Sequence, residues 1–85
     1  MSTISAFDVF VVGKCYRVLR PFLRGTRVVV GEILRFDSWY FSRYDEAYLY
    51  YFERIARGDI ATWMLYPDEL PSSWRDYFGE EESPR

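Results

Sequence analysis

The sequence predicts an all-β domain: about five antiparallel strands, curled into a small barrel and followed by a short C-terminal helix. Three observations carry this. Residues 28–53, VVVGEILRFDSWYFSRYDEAYLYYFE, read as strand throughout. Leu34 and Phe36 fall on one face and Ile33 and Arg35 on the other, and residues 47–52 are rich in tyrosine, leucine and phenylalanine. Breaks at Gly25, Gly31, Ser42 and Gly58 divide the chain into strand-sized runs. Aromatic residues make up 21 % of the chain. A domain this small must pack densely, and each buried ring removes about 150–250 Å² from water.

Taken in order, residues 1–12 have no clear period: Phe7, Phe10 and Val11 fit one face of a helical turn or an extended lead-in that covers a barrel end, and the lead-in is the favoured reading. Residues 14–22 are the first strand, ended by Pro21, which cannot donate to a ladder. Gly25 supplies a turn, and residues 27–30, three of them valine, are the second strand. Gly31 interrupts the apolar run and marks a bulge or sharp bend. The strand from residue 33 continues through Trp39, Tyr40 and Phe41; the polar residues 42–46 connect it to the strand at 47–53. Arg57-Gly58-Asp59 is read as a glycine turn, and residues 60–66 pair back on the preceding strand. Ser72 or Ser73 caps a helix at 74–78, stopped by Gly79, that lids the barrel mouth. One domain therefore spans residues 1–79, and 80–85 is a frayed acidic tail.

The ordered set Gly13-x-x-Tyr16-x-Val18, Gly31-Glu32-x-Leu34-x-Phe36 and Tyr44-Asp45, with an aromatic strand ending near Phe52, covers roughly residues 13–66. It resembles a bacterial domain-of-unknown-function family of short proteins. The resemblance implies an SH3-like barrel and brings no activity with it.

Composition excludes much chemistry. There is no histidine, so no Ser-His or Cys-His pair exists. One cysteine and no histidine cannot fill a zinc site, and Asp45-Glu46 falls short of an oxygen-ligated metal site. No glycine-rich phosphate loop occurs. The carboxylates of Asp45, Glu46, Glu53 and Asp59 have no fixed separation. The expectation is a non-enzyme with no cofactor and no metal. Cys15 cannot form an internal disulfide and reads as a small buried residue. With no signal-like N-terminus and no apolar run long enough to span a bilayer, the expected location is the cytoplasm.

Binding is what remains. Trp39, Tyr40, Arg43, Tyr44 and Tyr48 crowd one connection and are the candidate contacts for an unidentified protein partner. The alternative is nucleic acid, met by Arg17, Arg20, Arg24, Arg27 and Arg35. Residues 14–35 hold six basic residues against the single acid Glu32, whereas residues 60–85 hold six acids against two arginines. The simpler account of this asymmetry is that the two ends partly neutralise each other. The overall charge of −2 also disfavours nucleic acid.

Overall fold

The computed structural model describes residues 9–69 and 74–81. Its elements are β1 (Cys15–Val18), β2 (Ile33–Ser42), β3 (Ala47–Arg54), β4 (Ile60–Leu65), a one-turn helix α1 (Trp74–Tyr77) and β5 (Phe78–Glu81). All five strands form one sheet in the order β4-β3-β2-β1-β5, every pairing antiparallel. The all-β architecture, its five strands and its short helix agree with the sequence.

Alternation sorts the strands into an inner and an outer face. Tyr16, Val18, Leu34, Phe36, Tyr50, Phe52, Ala61, Trp63 and Phe78 point inward and are buried. At their centre stands Phe10, supplied by the lead-in. Its ring lies 5.1–5.9 Å from those of Tyr16, Phe36, Tyr50, Phe52, Trp63, Trp74 and Phe78. Two hydrogen bonds hold the lead-in in place: Val11 N–H donates to the Tyr16 hydroxyl (2.9 Å) and Gly13 N–H to the Phe36 carbonyl (2.9 Å). Cys15 is fully buried, as expected.

The fifth strand is not the expected one. Residues 27–30 form no strand; of the three valines only Val28 is buried. The reason is that β1 already has β2 and β5 on its two edges. The long β1–β2 connection instead crosses to the free edge of β4 as a strap. Gly25 bridges Trp63, Thr26 N–H donates to the Thr62 carbonyl (2.8 Å), and Thr62 N–H donates back to Thr26 Oγ1 (2.9 Å). Gly31, with φ of 93°, bends the chain back into β2, so it is the sharp bend and not a bulge in the ladder.

β5 takes the fifth position. Glu80 and Glu81, expected in a tail, pair with Tyr16 and Cys15. Lys14 to Glu80 (2.7 Å) and Arg17 to Glu81 add ion pairs across this ladder. Gly79 is accordingly a strand residue, and the helix ends at Tyr77 because Phe78 is already paired to Val18. Phe7, Leu70, the expected caps Ser72 and Ser73, and residues 82–85 lie outside the described residues.

Gly25 makes the strap's contact possible. Its φ is +114°, and a Cβ there would overlap the Thr62 carbonyl. Gly25→Ala is expected to cost more than about 2 kcal/mol in thermal or urea melts, from left-handed strain plus overpacking. Gly58→Ala, where φ is +78° but an added Cβ meets nothing, is the control. It should lose only the backbone part, about 1 kcal/mol.

Candidate binding surface

The β2–β3 hairpin carries the sequence-predicted aromatics, and a bulge decides which way they point. Pairing runs regularly to Phe36↔Phe52, then shifts so that Ser38 faces Tyr51 and Trp39 faces Tyr50. The extra residue flips the parity of the strand's second half. Trp39 and Phe41 thereby join the inner face with Leu34 and Phe36, while Tyr40 turns outward.

The five predicted contacts are thus divided. Trp39 and Tyr48 are half-buried and pack on the core, with their rings 5.8 Å apart. Phe41 packs against Tyr48 with the ring centroids 4.9 Å apart and the planes tilted by 60°, and it stays 41 % exposed. On the other face Tyr40 stacks on Tyr51, with the ring centroids 5.6 Å apart. Burial, and after it the neighbouring Tyr40 hydroxyl, pushes the Tyr51 phenol up to about 12, so Tyr51 stays neutral across physiological pH. Arg43 and Tyr44 occupy the turn, and Tyr44 is 96 % exposed. The turn is held by Ser42, whose hydroxyl accepts from Asp45 N–H (3.2 Å) and donates to the Asp45 carboxylate (3.1 Å). Glu46 completes it at φ of 52°. Sequence reasoning did not single out Phe41, because nothing in the residue types announces the bulge at residues 36–38.

The arginine set is largely engaged. Arg17 pairs with Glu81, Arg35 with its cross-strand neighbour Glu53 (3.1 Å), and Arg24 with both oxygens of Glu69 (2.7 and 2.8 Å). Arg24 also lies over the Tyr66 ring at 4.4 Å. The basic first half and the acidic second half therefore neutralise each other in contact. Arg20, over the Tyr77 ring, and Arg27 have no ion pair among the described residues.

One charged pair was not anticipated. Arg54 and Glu32 are both buried at the side chain and share two hydrogen bonds, 2.6 and 3.0 Å. Glu32 also accepts from Val29 N–H (3.1 Å). This pair ties the end of the strap to the β3–β4 hairpin. The hydrogen bond from Arg54 holds the Glu32 carboxyl below the usual carboxylate range against the opposing effect of burial. No group of three or more metal-ligating side chains occurs among the described residues, and none of their helices is long and apolar enough to cross a membrane.

No family profile and no curated protein matches the chain. Among solved structures it is similar to an integron cassette protein from the mobile metagenome of Vibrio cholerae, with 23 % identity and a TM-score of 0.66. That similarity covers 88 % of this chain and 89 % of the other. At this level of identity the likeness is one of fold alone.

Proposed function

We propose that this chain is a non-enzymatic, cytoplasmic protein-binding module of a bacterial or phage cell, acting as a subunit or antagonist of a larger protein. The observation that carries the reading is the free end of the β2–β3 hairpin. There Tyr44 is 96 % exposed and Phe41 41 % exposed on a platform stiffened by Trp39 and Tyr48. Exposed rings on a rigid support are what interface anchors look like, since little side-chain freedom is lost on binding. The strand order, with β5 beside β1 and one turn of helix before it, supports the SH3-like barrel reading of the fold.

Tyr44→Ala is expected to leave the melting transition within about 0.5 kcal/mol of the parent, because an exposed turn residue carries little stability. Loss of that transition would make Tyr44 structural and remove it from the surface. A gel shift at about 50 mM salt tests the nucleic-acid reading. With three of the five arginines already paired, no salt-sensitive shift is expected; a clear one would overturn the protein-binding reading.

A further inference from the structure

A second feature lies beside β4. A cavity of about 250 Å³ opens between the strap, the end of β4 and α1. Its apolar lining is Leu23, Trp63, Met64, Leu65 and Tyr77. Arg20 and Asp76 also line it, and neither has an ion pair among the described residues. The other charged pair at the cavity, Arg24 with Glu69, is satisfied internally.

We propose that this cavity anchors one large apolar side chain of an extended partner segment, flanked by an acidic residue that meets Arg20 and a basic one that meets Asp76. The inference rests on the protein-binding reading above and adds a second contact to it. Three observations support it. The volume is below the roughly 300–1,000 Å³ of a drug-sized ligand site, which leaves room for a single side chain. The walls are pre-organised, because Met64 N–H donates to the Arg24 carbonyl (3.3 Å) and the Thr26–Thr62 bonds fix the strap on β4. Finally, the cavity wall is two strands from Phe41: Leu65 is the cross-strand partner of Tyr48, which is in turn the partner of Phe41. Three adjacent strands span about 10 Å, a distance that about three extended residues cover. A segment only a few residues longer than the anchor is therefore long enough to span from the cavity wall to Phe41.

The test is a titration of isotopically labelled protein, followed by backbone amide shifts, with the capped peptide Ac-Glu-Phe-Lys-amide. Saturable shifts are expected at Leu23, Met64 and Tyr77, with a Kd of about 1 mM, the scale of a single-anchor contact. Ac-Glu-Ala-Lys-amide should not bind, and the uncharged Ac-Gln-Phe-Gln-amide should bind several-fold more weakly. Arg20→Gln and Asp76→Asn, both at exposed positions, should remove that preference for the charged peptide while leaving the spectrum folded. Shifts confined to Phe41 and Tyr44 would overturn the cavity and leave the hairpin reading standing. Cavity shifts from the alanine peptide equal to those from the phenylalanine peptide would also overturn it.

Discussion

Phe10→Ala is expected to remove half or more of the domain's stability. Removing a core phenylalanine costs about 3–5 kcal/mol, and a chain of this length has on the order of 5–10 kcal/mol in total. Phe10 belongs at the top of that range. Its ring touches seven others, contributed by β1, β2, β3, β4, α1 and β5, so its loss leaves a cavity that no single element can collapse to fill. Phe10→Leu, which keeps most of the volume, should cost about 1–1.5 kcal/mol. Urea titrations of the two variants decide the point. A Phe10→Ala protein as stable as the parent would mean that the lead-in is dispensable and that the sheet buries its own core.

The second large effect is electrostatic. Arg54→Ala strands the Glu32 carboxylate in a buried site, and breaking a buried pair from one side costs about 3–5 kcal/mol. The double variant Glu32→Leu with Arg54→Leu removes both charges and should recover most of that loss. The same pair sets a pH dependence. Because the folded-state value of Glu32 lies below its ordinary 4.5, its contribution is complete above that ordinary value. It is lost as pH falls through the lower, folded-state value. Melts of the parent between about pH 6 and pH 3 should show this loss, and the double leucine variant should show less of it. Equal acid sensitivity in both proteins would place the titration elsewhere.

Much of the fold is legible in the residues, and the exceptions have definite causes. Strands β2, β3 and β4 are recognisable because alternation and glycine punctuation are local signals. Leu34 and Phe36 share a face as the period requires, and Gly58 sits at the hairpin tip. The valines at 28–30 mislead because strand propensity describes residue type, whereas pairing depends on a free edge, and β1 had none to offer them. Glu80 and Glu81 mislead in the opposite sense. Their acidity suggests a solvated tail, but Lys14 and Arg17, more than 60 residues earlier in sequence, give those charges partners. At the candidate surface, Tyr44 was legible from the polar break around it. Phe41 and the division between Trp39 and Tyr40 turn on a one-residue bulge, which composition does not reveal. The Arg54–Glu32 pair was hidden for a similar reason, since two charged residues look like surface until the tertiary structure buries them together.

The central claim is that the hairpin end binds a protein while taking little part in holding the fold. The direct measurement is a binding titration of a purified partner against the parent and against the Phe41→Ala, Tyr44→Ala double variant, with melts run alongside. The account predicts a double variant that still melts cooperatively and whose Kd is about 30-fold weaker or more, the equivalent of about 2 kcal/mol. Affinity unchanged in a folded double variant would contradict it.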